Sequence, residues 1–235
     1  MLDVNSIREN IESVKKIING ACERAERDPD QITLVAVTKT FGVDVVGRAI
    51  EAGVTDIGEN YIQEAKEKIE SVGGGGADVR WHFIGHLQRN KAKYAVRLFD
   101  LIHSVDNINL ATELNLRAER GDKVQDILIQ INISHEEQKS GVSADGVLSL
   151  IREVSKLSHL KIRGLMGMPP FNLEPEESRP YFVTLRGLKE KIAEEEILGV
   201  EMTELSMGMS MDYAVAIEEG ATMVRVGTAI FGERT

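Results

Sequence analysis

Cysteine is nearly missing from this chain. Cys22 stands alone among 235 residues, so an intrachain disulfide and a multi-cysteine metal site are both excluded, and a reducing compartment fits. Its expected job is helix packing. Nowhere is there the unbroken apolar run of about 20 residues that a bilayer-spanning helix requires. The opening MLDVNSIRENIESVKKI lacks the apolar stretch and small-residue cleavage site of a secretory leader. The expected address is therefore the cytoplasm, with no membrane partner. Basic residues are outnumbered, 28 Lys and Arg against 38 Asp and Glu, for a net charge of -10. That balance repels a phosphodiester backbone and argues against nucleic acid as a partner. A small anion can still be held locally by backbone amides, helix N-termini and one arginine.

What is present is ordinary globular material, 42% apolar and 28% charged, at a length that suits one α/β barrel of roughly 250 residues. Ile7, Ile11, Val14, Ile18, Ala21 and Ala25 fall at the spacing of one helical stripe. Ser6 and Glu9 are the expected capping box at its start, and Pro29 is expected to close it. Strand-length apolar runs then alternate with helical ones, at 32–39, 54–59, 80–85, 101–105, 126–133, 161–166, 203–207 and 222–227. Between them, DVVGRAIEAG (44–53) and DYAVAIEEG (212–220) offer Asp44 and Asp212 as N-caps and Gly53 and Gly220 as stops.

Eight βα units predict a single α/β domain over 1–235, a (β/α)8 TIM-type barrel with an additional N-terminal helix. Parallel strands need crossover helices, and closure leaves no exposed edge. A doubly wound open sheet is the alternative. The glycine run 73–76 follows a helix and precedes a strand, the reverse of a phosphate-binding fingerprint, and reads as a surface connection. The turn-rich stretch 169–180 follows the sixth run, on the face where barrels build their sites.

Lys39 closes the first run at that same face. Apolar, β-branched surroundings desolvate an amine, which disfavours the ammonium and suits Schiff-base formation; the plain alternative is a solvated lysine at a strand end. ELSMGMSMD (204–212) and VRVGTAIFGER (224–234) end the last two runs with glycines and hydroxyl residues, where barrels frequently hold phosphate. Ser206 or Ser210 and Thr228 offer hydroxyls, and the amides of Gly208, Gly227 and Thr228 a cup. Arg225 is a cation directed into the mouth or interior. Tight turns alone would also explain the glycines. His82 and His86 have the spacing of a helical zinc pair, but on a strand their side chains stand roughly 13 Å apart, so no metal is assigned. Asp56, Glu59 and Asp106 read as capping or ion-pairing carboxylates.

AVTKT (36–40), GENYIQEAKEK (58–68), WHFIGHLQRNKAKY (81–94), ILIQINIS (127–134) with EEQKSG (136–141), GLMGM (164–168), LSMGMSMD (205–212) and VRVGTAIFG (224–232) together resemble the pyridoxal phosphate homeostasis protein family. The resemblance runs nearly the whole chain. It implies a single-domain barrel like the N-terminal domain of alanine racemase, with no established reaction. It also implies pyridoxal 5'-phosphate as cofactor, Lys39 as the Schiff-base lysine, Asn60 beside the ring, the phosphate among Ser206, Ser210, Gly227 and Thr228, and Arg225 at the pyridine nitrogen. Phe41 and Gly42 depart from the family, where a second lysine followed by proline is common. Lys139 matches the family, yet a solvated loop lysine is the better expectation for it.

A racemase of this chemistry needs two bases on opposite faces of the substrate carbon. Lys39 supplies one. In the resembled racemase the other is a tyrosine from a second domain, whereas Tyr61, Tyr94, Tyr181 and Tyr213 all fall within the barrel's own segments, and the chain stops soon after Gly227. A guanidinium beside the pyridine nitrogen further weakens the ring as an electron sink. The expectation is a cofactor carrier rather than an enzyme, which takes up, shields and releases pyridoxal phosphate to free amines or to apo forms of cofactor-dependent enzymes, as a monomer rather than a dimer. The alternatives are a racemase-like enzyme, a Schiff-base phosphosugar aldolase without cofactor, and a scaffold barrel for an unrelated ligand.

Overall fold

The computed structural model describes residues 2–73, 79–134, 136, 138–171 and 173–233. Among them, β1 (Thr33–Val37), β2 (Asp56–Glu59), β3 (Arg80–Phe83), β4 (Leu101–Val105), β5 (Gln125–Ile131), β6 (Leu160–Gly167), β7 (Val200–Met209) and β8 (Met223–Val226) pair in chain order, and β8 returns to β1 to close the barrel. Every expected run thus holds one strand. The helices are α1 (Val4–Arg24), α2 (Val43–Glu51), α3 (Ile62–Val72), α4 (Ala92–Leu98), α5 (Ile108–Arg120), α6 (Val147–Val154), α7 (Arg179–Glu194), α8 (Tyr213–Glu218) and α9 (Thr228–Phe231).

Helix ends differ from expectation. Asp3, not the Ser6–Glu9 pair, caps α1: its Oδ1 accepts the Ser6 amide at 2.8 Å, so Ser6 is the residue being capped. The helix stops at Arg24, and Pro29 instead opens a 3-10 turn, Pro29–Gln31, where a missing N–H costs nothing. Gly42 is the N-cap of α2, with Asp44 inside its first turn, favourably placed against the helix dipole. Asp212 does stand at the N-cap of α8, but its Oδ1 accepts the Met209 amide at 2.7 Å and so holds the turn leaving β7. Gly53 and Gly220 supply the left-handed backbone expected of helix stops, with φ of 99° and 96°. Of the glycine run, Gly73 ends α3, and residues 74–76 lie outside the described residues.

Strand alternation sorts the barrel into two faces. Outward residues such as Ile57, Phe83, Ile102, Ile129 and Leu205 pack against the helices in the main core, which also takes Ile7, Ile11, Val14, Ile18 and Cys22 of α1. Each large apolar side chain so buried stabilises by about 1.5–3 kcal/mol. A separate apolar cluster, Leu101, Leu128, Met166 and Met223, fills part of the interior. Buried polar residues, among them His82, His103, Ser206 and Arg225, occupy more of it.

One backbone contact tests the closure directly. At Gly164 the register of β6 shifts against both β5 and β7, and an added Cβ would lie 1.9 Å from the Glu204 carbonyl oxygen. Gly164→Ala must therefore push β6 and β7 apart, for an expected loss of about 3 kcal/mol. Urea unfolding measures it; an unchanged midpoint would show that β7 yields freely.

Candidate functional site

Alternation along β1 turns Ala36 and Thr38 toward the helices and leaves Val37 and Lys39 facing the mouth. Lys39 lines a cavity of about 560 Å³ together with Asn60, Ser210, Arg225, Gly227 and Thr228, a volume suited to a small ligand. These residues come from the C-terminal ends of β1, β2, β7 and β8, where (β/α)8 barrels build their sites. A groove of about 700 Å³ lies beside it, between Tyr61, Lys66, Lys91 and Tyr94, and shares Asn60. It is larger, but it has no comparable convergence of amine, guanidinium and hydroxyl.

The backbone on either side of Lys39 is pinned. Thr38 Oγ1 donates to Glu59 Oε1 at 2.5 Å, and Lys68 Nζ donates to the Thr38 carbonyl at 2.8 Å and to Glu59 Oε1 at 2.6 Å. On the other side, the Thr40 amide donates to Glu64 Oε2 at 2.8 Å, which holds Thr40 at a φ of 69°, a left-handed conformation costly for a β-branched residue. Glu64 and Lys68 are one turn apart on α3, 3.5 Å from each other. Burial pushes the Glu59 carboxyl above its ordinary value, against hydrogen bonds from Lys68 and Thr38 that pull it down. Sequence reasoning gave Glu59 an ordinary ion-pairing role and passed over Glu64 and Lys68. Their signal was the spacing within GENYIQEAKEK directly after a strand.

At the opposite wall, Ser210 Oγ accepts the Gly227 amide at 3.2 Å, and Thr228 is exposed at the start of α9. Arg225 is 4% exposed; it donates to Ser206 Oγ at 2.5 Å and to the Gly167 carbonyl at 3.2 Å. Burial draws its pKa down to about 10, opposed by the charge of Asp212, so it is a cation at neutral pH.

Ser206 and Gly208 do not line this cavity. The Ser206 side chain is fully buried beneath it, between Arg225 and His103. Gly208 has a φ of 87°, at the register shift between β7 and β8, and a Cβ there would lie 2.5 Å from that of Ala216. Its bareness admits α8.

Above the mouth, Lys139 is not a solvated loop lysine. Its side chain is 18% exposed, with Nζ 3.1 Å from Glu136 Oε1 and 4.9 Å from the centre of the Phe171 ring. It lines an adjoining space of about 250 Å³ that also reaches Lys39. Phe41 packs on Phe231 with ring centres 5.2 Å apart, a role that a lysine at this position would not fill. His82 faces the barrel interior and pairs with Asp56, while His86 sits over the mouth against Ser140. Asp106 accepts from the Gly141 amide and Asn107.

Residues 2–235 match the family model of the alanine racemase N-terminal domain, so the chain is a barrel of that class. Curated relatives make the family more definite. The pyridoxal phosphate homeostasis proteins of Aquifex aeolicus (strain VF5) and Escherichia coli (strain K12) are 43% and 39% identical to it, over 96% and 98% of this chain and 97% and 98% of their own, and the chain belongs to the pyridoxal phosphate homeostasis protein family. The structure of PipY from Synechococcus elongatus PCC7942 with PLP bound superposes with a TM-score of 0.83 at 33% identity, covering 96% of this chain and 100% of that one. Alanine racemase of Clostridium difficile 630, at 15% identity and a TM-score of 0.74 over 99% of this chain and 58% of its own, shares the fold.

The residues fit pyridoxal phosphate. Asn60 Oδ1 is buried without a partner among the described residues, and an orphaned acceptor in a cavity wall suits a donor on a ligand. Lys39 would be the amine for its aldehyde, Arg225 the donor for its ring nitrogen, and Ser210, Gly227 and Thr228 would supply hydroxyls and amides for its phosphate.

Proposed function

We propose that this chain, as one cofactor-binding unit over 1–235, carries, buffers and releases pyridoxal phosphate held on Lys39, without a catalytic reaction of its own. The observation that carries the reading is the convergence of Lys39, Asn60, Ser210, Arg225, Gly227 and Thr228 on one cavity. The bound group supplies a reactive aldehyde that condenses reversibly with amines. The chain's own part is to hold the Lys39 backbone rigid, grip the phosphate and exclude competing nucleophiles.

Tyrosine placement supports carriage over racemisation. Tyr213 is buried in the outer core, Tyr181 packs against that core, and Tyr61 and Tyr94 line the neighbouring groove, so none of the four lines the cavity that holds Lys39. Recipients are free amines or apo forms of cofactor-dependent enzymes, and the protein acts as a cytoplasmic monomer. No helix among the described residues is long and apolar enough to cross a membrane.

The test is an absorption spectrum of the purified protein with pyridoxal phosphate, before and after excess free amine, followed by borohydride and peptide mass analysis. A visible band displaced by the amine, and a reduced adduct on Lys39, are expected. Amino-acid turnover lost with Lys39→Ala would overturn the carrier reading, and borohydride trapping only with a ketose phosphate would make the protein an aldolase.

A further inference from the structure

Inside the barrel, five buried side chains from five strands form one unbroken chain of hydrogen bonds. Arg225 Nη1 meets Ser206 Oγ at 2.5 Å, Ser206 Oγ meets His103 Nδ1 at 2.9 Å, His103 Nε2 meets His82 Nδ1 at 3.0 Å, and His82 Nε2 meets Asp56 Oδ1 at 2.9 Å. Ser206, His103 and His82 are wholly buried. The chain begins at the cavity wall and ends at the first residue of β2, the opposite end of that strand from Glu59 and the mouth. There Thr55 Oγ1 donates to the second Asp56 oxygen at 2.8 Å, and Arg80 Nε lies 3.7 Å from the first.

The carboxylate end fixes the direction of every link when both imidazoles are neutral. A guanidinium only donates and an ionised carboxylate only accepts. Asp56 therefore accepts from His82 Nε2, His82 Nδ1 accepts from His103 Nε2, and His103 Nδ1 accepts from Ser206, whose Oγ in turn accepts from Arg225. Burial holds His103 well below its ordinary pKa, with the charges of Arg225 and Arg80 adding to the effect. Burial pushes Asp56 up, but hydrogen bonds from His82 and Thr55 outweigh it and keep the carboxyl below its usual value. Both fit the direction that the geometry requires. Among the described residues, Asp56 and Arg80 stand at one end, where Asp100, Asp126, Arg163 and Glu204 line the same opening as Arg80, and Arg225 and Asp212 stand at the other, where Lys39 shares their cavity.

The consequence lies at the cavity. The acceptors of Arg225 among the described residues, Ser206 Oγ and the Gly167 carbonyl, are uncharged, and the carboxylate that completes the chain is three side chains away. Hydrocarbon fills the barrel interior elsewhere, at Leu101, Leu128, Met166 and Met223, so space-filling does not by itself call for a polar chain here. Every link would become an unsatisfied buried group if its neighbour were removed. A carboxylate touching Arg225 would orient it equally well but would neutralise the charge it presents to a ligand.

We propose that Ser206, His103, His82 and Asp56 are positioning residues for Arg225, holding its guanidinium as an unneutralised donor at the cavity wall, and that through it they keep the ring nitrogen of bound pyridoxal phosphate unprotonated. The identity of the ligand rests on the function proposed above; the direction of the hydrogen bonds does not.

Two measurements test it. Nitrogen NMR of histidine-labelled protein without added cofactor should show His82 and His103 neutral at pH 7 with their protons on Nε2; an Nδ1 proton on either ring overturns the relay. With pyridoxal phosphate labelled at its ring nitrogen, the wild-type signal should be that of an unprotonated ring at neutral pH. Ser206→Ala and Asp56→Asn should raise the proton affinity of that nitrogen by about tenfold, one pKa unit, and Ser206→Thr, which keeps the hydroxyl, should restore it. A ring nitrogen that does not change in folded Ser206→Ala or Asp56→Asn protein overturns the proposal, and Asp56→Asn keeps the test decisive if Ser206→Ala fails to fold. If the wild type takes up no labelled cofactor, the proposed function and the ring-nitrogen half fall together, while the histidine signals still decide the relay.

Discussion

Lys68→Met is expected to destabilise the protein by about 3–5 kcal/mol, the cost of breaking a buried ion pair by removing one partner. Lys68 is 3% exposed and Glu59 is fully buried. Glu59 Oε2 has no partner among the described residues as it is, so without Lys68 the carboxylate keeps only the Thr38 hydroxyl. Burial already pushes the Glu59 carboxyl up, and losing Lys68 raises it further. A carboxyl whose folded pKa lies above its unfolded value stabilises the folded state below the unfolded pKa, and that contribution is lost as pH rises through the folded one. The deficit of the variant should therefore be largest at neutral pH and shrink as the solution is acidified. Combining it with Glu59→Gln should cost less than the sum of the two single changes. Urea unfolding at neutral and acidic pH measures all three; a neutral-pH loss under about 1 kcal/mol would mean that Glu59 finds another partner. Because Lys68 also holds the Thr38 carbonyl, the variant should retain pyridoxal phosphate less well even where it remains folded.

The same pair shows where sequence reasoning stops. Lys39 was legible because it ends an apolar, β-branched run, and period two then dictates which way it faces. Eight strands were legible for the same reason, since a strand buried on both sides must be apolar almost throughout. Helix ends were less so: Asp3 and Ser6 are equally good caps by residue type, and only the turn decides between them. The clamp on Lys39 needs the angle at which α3 returns across β2, which no local pattern encodes. The interior relay needs more. His82, His103, Ser206 and Arg225 are separated by long stretches of chain, and only barrel closure, with the register shift at Gly208, brings Ser206 beneath Arg225. Ser206 thus reads as a phosphate ligand in the sequence, whereas in the fold it is buried and accepts from Arg225.

Lys39→Ala divides covalent from non-covalent retention. Lys39 is partly exposed at the end of β1, outside the packed core, so its truncation should change stability by no more than about 1 kcal/mol. Ser210, Arg225, Gly227 and Thr228 remain, and a phosphate gripped by hydroxyls, amides and a nearby cation keeps some affinity without the amine. The expected result is complete loss of the borohydride-reduced adduct, with affinity for pyridoxal phosphate reduced about 100-fold, roughly 2.7 kcal/mol. Lys39→Arg should behave like Lys39→Ala, because a guanidinium preserves the charge but is not a nucleophile at neutral pH; recovery of affinity in the arginine variant would mean that Lys39 acts by charge alone. The adduct could also reappear on Lys139, which lines the adjoining space with Lys39. Undiminished affinity together with that shift would make the mouth as a whole, rather than Lys39, the tether. Loss of affinity without it leaves Lys39 as the group whose reversible bond sets how long the cofactor stays.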